Sequence, residues 1–229
     1  GRGGGEFYTP TSVVRVLVEM LEPYKGRVYD PCCGSGGMLI QSRNYLIEHG
    51  ENPRNISLFG QEMNQGTWAI CKINMFLHSV FNADIKKGDT IRDPKHLKSG
   101  ELMTFDRVIA NPPFSLAKWG KDEADNDSFG RFPYGTPPKD TGDLAFVQHM
   151  IASLNADGVM GVVIHHGVLF RGASEMEITK GILDNDLLEA IIGLPPKLFY
   201  GTGIPAALLI INRKKSKDRK NKIISIKNF

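Results

Sequence analysis

The sequence predicts an α/β fold, a doubly wound Rossmann-like arrangement with a mostly parallel sheet between two helical layers and an antiparallel hairpin near its end. Three observations predict it. Short β-branched runs alternate with stretches whose apolar residues recur at helical spacing. The first strand run leads directly into a glycine turn that opens a helix. Three successive strand runs close on acids, Asp30, Glu62 and Asp89, which a parallel sheet would bring to one edge.

Taken in order, residues 11–21 read as a helix capped by Thr9 or Thr11. Val28-Tyr29-Asp30 is a short strand, Pro31 to Gly37 a turn, and residues 38–49 a second helix. A strand at 56–59 precedes a third helix at 66–80, and Ile85-Lys86-Lys87-Gly88-Asp89-Thr90 is the next strand with its turn. Residues 105–110 form an apolar strand, 143–154 a helix, 159–164 a strand, 174–184 a helix and 188–194 a strand. Residues 206–211 and 223–226 pair as a terminal hairpin. Between 117 and 141 the chain is polar, with Gly and Pro but no periodicity, so a long loop is expected there.

Composition fits one domain over residues 1–229. With 41% hydrophobic and 23% charged residues the chain can bury one core, and 25 Gly with 13 Pro suit many loops. No apolar stretch approaches the roughly 20 residues of a membrane span, and the first residues lack an apolar signal core. A cytoplasmic protein without membrane association is expected. The net charge of +3 does not by itself mark a nucleic-acid binder. Cys32, Cys33 and Cys71 form no C-x-x-C or His-flanked pattern, so no metal site is expected.

The turn Cys33-Gly34-Ser35-Gly36-Gly37 combines residues that permit close backbone approach with the free N–H groups of a helix start. A dinucleotide site would show G-x-G-x-x-G under a pyrophosphate. Here the spacing is G-x-G-G and Asp30 stands just before it, a carboxylate that repels phosphate and attracts a cation. The pattern points to a ligand with an ammonium or sulfonium centre. Glu62, closing the second strand, is placed to accept from two ribose hydroxyls, and Asp89 to hold the exocyclic amine of an adenine ring. As isolated residues both are equally compatible with caps or turns.

Asn111-Pro112-Pro113-Phe114 follows the 105–110 strand. An aromatic amine has its lone pair delocalised into its ring, and two acceptors gripping its protons draw that pair back to nitrogen. The Asn111 side chain and the Pro112 carbonyl supply such acceptors. Pro112 and Pro113 have fixed φ and no N–H, so the turn cannot relax into a helix. Phe114 offers a flat face for a base lifted out of a stack.

The glycine turn followed by Asn-Pro-Pro-Phe resembles the S-adenosylmethionine-dependent amino-methyltransferases that act on adenine in DNA. Two more stretches resemble the modification (methylation) subunit of type I restriction-modification systems. These are Gly5-Glu6-Phe7-Tyr8-Thr9-Pro10, and Leu194-Pro195-Pro196-Lys197-Leu198-Phe199-Tyr200-Gly201-Thr202-Gly203-Ile204-Pro205. The resemblance covers nearly the whole chain and implies the methyltransferase variant of the Rossmann-like fold. It implies that Glu6, Phe7, Tyr8, Thr9 and Pro10 wrap the methionine end of the cofactor above Asp30, Gly34, Ser35, Gly36 and Gly37. Glu62 would take the ribose, Asp89 and Thr90 the adenine, and Asn111, Pro112, Pro113 and Phe114 the target base. Phe199 or Tyr200 would help to hold that base.

Implied partners are double-stranded DNA, a DNA-specificity subunit, a restriction (endonuclease and translocase) subunit and a second copy of the modification subunit. Family members carry a helical domain before Glu-Phe-Tyr-Thr-Pro and a helical tail, so a catalytic fragment is implied, with Gly1-Arg2-Gly3-Gly4-Gly5 as a joint. In the 117–141 loop, Phe129, Arg131, Phe132 and Tyr134 are candidates to touch DNA or cover the base, and the basic run from Arg213 to Lys222 to meet phosphate, although a solvated hairpin tip accounts for that run more cheaply. Rival readings are methyl transfer to RNA or to a protein glutamine, a non-catalytic cofactor-binding scaffold in a DNA-bound assembly, and a nicotinamide oxidoreductase.

Overall fold

In the computed structural model, residues 9–170, 172, 174–199 and 205–227 are described. Glu6, Phe7, Tyr8, Tyr200 and the Gly1 to Gly5 joint lie outside them. The elements run α1 (Thr11–Leu21), β1 (Gly26–Asp30), α2 (Gly37–Glu48), β2 (Ile56–Glu62), α3 (Gln65–Leu77) and β3 (Asp84–Lys87). A two-stranded ribbon, β4 (Leu97–Lys98) and β5 (Glu101–Leu102), precedes β6 (Phe105–Ala110). Then come α4 (Lys121–Asp125), α5 (Asp143–Ala152), β7 (Leu154–His165), α6 (Ser174–Asp184), β8 (Leu188–Gly193), β9 (Ala206–Asn212) and β10 (Ile224–Ile226).

Eight strands form one sheet in the order β10-β8-β9-β7-β6-β1-β2-β3. All pairings are parallel except those of β9, which runs antiparallel to both β7 and β8. Alternating side chains feed two cores. Val28, Ile109, Leu208 and Ile210 pack under α1 and α2, whereas Tyr29, Val108, Leu209 and Ile211 pack under α5 and α6. From β1 the chain winds outward through β2 and β3 on one side, and through β6 and β7 on the other. The crevice above the carboxyl ends of β1 and β6 is thus the switch point where such sheets bind ligands.

The expected antiparallel hairpin is present, but its strands are β8 and β9. The expected pairing of 206–211 with 223–226 does not form; β10 lies parallel to β8 at the sheet edge. Burial explains the difference. Residues 206–211 are buried throughout and need a neighbour on each side, whereas Ile224, Ser225 and Ile226 are exposed and suit an edge. β7 also begins earlier than expected. Phe105 pairs with Leu154 and Arg107 with Val159, so Asn155-Ala156-Asp157-Gly158 bulges from the strand ahead of its expected start at 159. Neither expected threonine caps α1, whose N-cap is Pro10. The 117–141 segment is packed: Trp119 is buried against Ala145 and Phe146, and its indole N–H donates to the Pro138 carbonyl at 2.8 Å. Among the described residues no helix is long and apolar enough to cross a membrane.

Candidate active site

β1 delivers Asp30 to the floor of the crevice with 1% of its surface exposed. The backbone then turns over the carboxyls that close β1 and β2. The Cys32 N–H donates to Asp30 Oδ1 at 3.0 Å and the Gly34 N–H to Glu62 Oε2 at 3.0 Å, while Glu62 Oε1 accepts from the Asn64 N–H at 2.7 Å. The Cys33 N–H bonds the Gln61 carbonyl at 3.0 Å, tying the turn to β2. Burial pushes the Asp30 carboxyl up to about 8; the Cys32 N–H opposes the rise and the Glu62 charge adds to it.

Three glycines of this turn have different physical reasons. Gly36 has φ +88°, and a Cβ there would stand 2.5 Å from Met75 Cε and 2.9 Å from Cys71 Sγ. It is glycine because α3 packs against it. Gly34 and Gly37 line the cavity, and a Cβ on either would meet no atom within 4 Å. Their missing side chains leave room for a ligand. Ser35 also lines the cavity, and its carbonyl accepts from Asn74 Nδ2 at 3.0 Å.

After β3, Asp89 Oδ1 accepts from the N–H groups of Ile91 (2.9 Å) and Arg92 (3.1 Å), and Oδ2 from the Arg92 guanidinium at 2.7 Å. Arg92 Nη2 continues to the Lys118 carbonyl at 2.5 Å, so it joins the β3 turn to the segment after Asn-Pro-Pro-Phe. Thr90 is buried and its hydroxyl bonds the Pro31 carbonyl. From below, Arg131 donates to the carbonyls of Thr90 (3.0 Å) and Ile91 (2.8 Å) and pairs with Asp127 at 2.8 Å.

At the carboxyl end of β6, Asn111 Nδ2 donates to Thr9 Oγ1 at 2.8 Å. Its Oδ1 is buried and has no protein partner among the described residues. Ser115, in the left-handed region at φ +49°, has its N–H held by Asp143 Oδ1 at 3.1 Å, which pins the far end of the turn to the start of α5. The Phe114 ring is edge-on to Phe199, with centroids 5.9 Å apart and planes at 71°. One cavity of about 600 Å³ joins these parts, reaching Asn111, Pro112, Pro113 and Phe114, the glycine turn with Asp30 and Glu62, and Asp89 and Thr90.

A family model described as N-6 DNA Methylase matches residues 1–228. The chain belongs to the N-6 DNA methylase family. It is 36% identical over 228 residues to the HindI type I restriction enzyme methylase subunit of Haemophilus influenzae, an alignment covering 99% of this chain and 50% of that one. It is 41% identical over 233 residues to the MjaVII type I methylase subunit of Methanocaldococcus jannaschii, covering 97% and 39%. A type I restriction-modification methyltransferase subunit from Streptococcus thermophilus superposes with a TM-score of 0.84 at 33% identity, over 93% of this chain and 46% of that one. The chain thus spans about half the length, or less, of these relatives.

Against this family frame, the candidates named from sequence fall into four groups. Thr9, Asp30, Gly34, Ser35, Gly37, Glu62, Asp89, Thr90, Asn111, Pro112, Pro113 and Phe114 converge on the one cavity. Pro10 and Gly36 do not line it: Pro10 caps α1 with its carbonyl, and Gly36 faces α3. Glu6, Phe7 and Tyr8 lie outside the described residues. Arg131 is buried, which removes it as a DNA contact. Lys215, from the basic run, is also buried and donates to Asp186 at 2.6 Å. Sequence reading missed Met38, Trp119 and Phe146 as cavity walls. Met38 and Phe146 sit among apolar residues at helical spacing and Trp119 in the aperiodic segment before α4, so none carries a local sign that it borders a ligand.

Proposed function

We propose that this chain is the catalytic part of a type I modification subunit. It would transfer a methyl group from S-adenosylmethionine to the exocyclic amine of an adenine flipped out of duplex DNA. One observation carries the reading. Asn111 lines the same cavity as the glycine turn, its amide nitrogen already committed to Thr9 and its Oδ1 buried with no partner among the described residues.

The residues present fit the cofactor. A buried carboxyl at Asp30 suits a cationic head group, and the space left by Gly34 and Gly37 admits a ligand against the backbone. Glu62, its plane fixed by two N–H groups, would take the ribose hydroxyls, and Asp89 with Thr90 would border the adenine ring. When bound, S-adenosylmethionine supplies an electrophilic methyl on sulfonium sulfur. The chain's own part is orientation. Asn111 Oδ1 and the Pro112 carbonyl would each accept a hydrogen bond from one N–H of the target amine, localising its lone pair, and Phe114 would stack on the base. The clamp needs no general base, because methylation makes the amine acidic and water can take the surplus proton.

Duplex DNA, a specificity subunit, a restriction subunit and a second modification subunit are the partners proposed. The S. thermophilus and H. influenzae relatives are type I subunits by description, which supports that setting. The test is Asn111→Ala, assayed with labelled cofactor on duplex DNA in the assembled complex. Methyl transfer should fall by about 10²–10³-fold while cofactor affinity is retained; unchanged transfer defeats the assignment.

A further inference from the structure

We infer that Thr9 is a positioning residue that holds the plane of the Asn111 amide; this rests on the clamp reading given above. The two residues are 102 positions apart and meet through one hydrogen bond, Nδ2 to Thr9 Oγ1 at 2.8 Å. The terminal torsion of an asparagine is broad, so an untethered amide samples many planes. Only some of these aim Oδ1 at an amine in the cavity. With the nitrogen anchored, Oδ1 is the amide atom left over, and it is buried with no hydrogen-bond donor among the described residues.

A buried acceptor held in place before its partner arrives is the preorganised arrangement that needs no rearrangement at the moment of reaction. The chain has given up something local for it. Thr9 stands directly before the Pro10 N-cap of α1, where a hydroxyl could have bonded a free helix N–H, yet α1 has no side-chain cap. The hydroxyl is used across the sheet instead of along the helix. Family resemblance places Thr9 against the cofactor; the hydrogen bond places it against the catalytic amide.

Thr9→Val keeps the branched shape and removes the acceptor, whereas Thr9→Ser keeps the acceptor. The primary readout is the side-chain NH2 resonance pair of Asn111 in the 229-residue chain, assigned by its loss in Asn111→Asp. The pair should move toward solvent-like positions in Thr9→Val and stay at wild-type positions in Thr9→Ser. S-adenosylmethionine affinity by calorimetry should remain within about twofold in both. Turnover on duplex DNA in the assembled complex should fall about tenfold to a hundredfold in Thr9→Val, with the KM for cofactor unchanged and recovery in Thr9→Ser. Unmoved resonances in Thr9→Val overturn the inference, as does a loss confined to cofactor affinity, or full turnover despite moved resonances. Failure of the wild-type chain to bind S-adenosylmethionine would sink the proposed function instead, and the resonance comparison would still decide the tether.

Discussion

Asp30 and Glu62 are held by alternate N–H groups of a single turn, Cys32 donating to the first and Gly34 to the second, each at 3.0 Å. Two carboxyls from adjacent strands thereby share one short piece of backbone. The arrangement fixes the shape of the turn, yet it buries two acids beside each other, and one of them responds by keeping its proton. The acid that closes β1 therefore differs from an ordinary surface aspartate in both stability and binding.

For Asp30 the sign follows from the raised value. An unfolded chain ionises this carboxyl near 3.8, whereas the folded chain holds the proton until about 8. Between those values the folded state binds more protons, so stability falls as pH rises from about 4 to 8 and levels off above. Asp30→Asn should then be more stable than wild type at pH 8, on the order of a few kcal/mol, with the gain vanishing near pH 4. Urea unfolding at the two pH values measures this. The same substitution should abolish binding of S-adenosylmethionine, and the wild type should release a proton on binding at neutral pH, read from calorimetry in buffers of different ionisation enthalpy. Binding without proton release would show that no cation pairs with Asp30.

Gly36 and Gly37 are neighbours with opposite expectations. Gly36→Ala must fit a Cβ at φ +88° within 2.5 Å of Met75 Cε, so a loss of about 1–3 kcal/mol is expected in unfolding experiments. Gly37→Ala enters the first turn of α2 in open space and should leave stability unchanged or raise it by up to about 1 kcal/mol. Its cost should appear in cofactor affinity, because the new methyl stands in the cavity. If Gly37→Ala bound cofactor as wild type does, the ligand would lie elsewhere along the crevice.

How much of this was legible in the sequence depends on the range of the cause. Local causes were readable. The glycine turn, the strand-end acids and Asn-Pro-Pro-Phe announce backbone conformations within a few residues, and all three acids did reach one cavity. Long-range competition was not. The place of β9 between β7 and β8 is decided by which strands most need cover on both sides, not by any residue in its turn. The loop at 117–141 looks solvated because it is polar, but Arg131 brings its charge inward to Asp127 and two carbonyls. Thr9 looked like a helix cap or a cofactor contact, and only the fold brings it to Asn111.

Edge-on contact between Phe199 and Phe114 predicts a further effect. Phe199→Ala removes a buried ring beside Phe114, the residue proposed to stack on the base, and leaves the Asp30 and Glu62 end of the cavity alone. Cofactor affinity should hold while insertion of the target base weakens, seen as a smaller fluorescence rise from 2-aminopurine placed at the target position in the assembled complex. A loss of about 3–5 kcal/mol of stability is expected alongside, so Phe199→Leu serves as the folded control. An undiminished signal in both variants would separate Phe199 from base insertion.

Arg131 supplies the sharpest contrast between a basic residue as DNA contact and as internal strut. It is 3% exposed and its partner Asp127 6%, and its other nitrogens hold the Thr90 and Ile91 carbonyls. Arg131→Ala leaves Asp127 Oδ1 and two carbonyls without the guanidinium, with only the residue 131 N–H still reaching Asp127 Oδ2, which should cost about 3–5 kcal/mol. Arg131→Lys should recover little, since one ammonium cannot reach along three directions at once. The β3 turn that carries Asp89 and Thr90 rests on this side chain, so cofactor affinity should fall with stability. Binding of duplex DNA by the folded fraction should keep its dependence on salt, whereas loss of a phosphate contact lowers the slope by about 1. Should Arg131→Ala unfold at the wild-type urea concentration and bind DNA with a shallower salt slope, the side chain must leave its buried pair to meet phosphate.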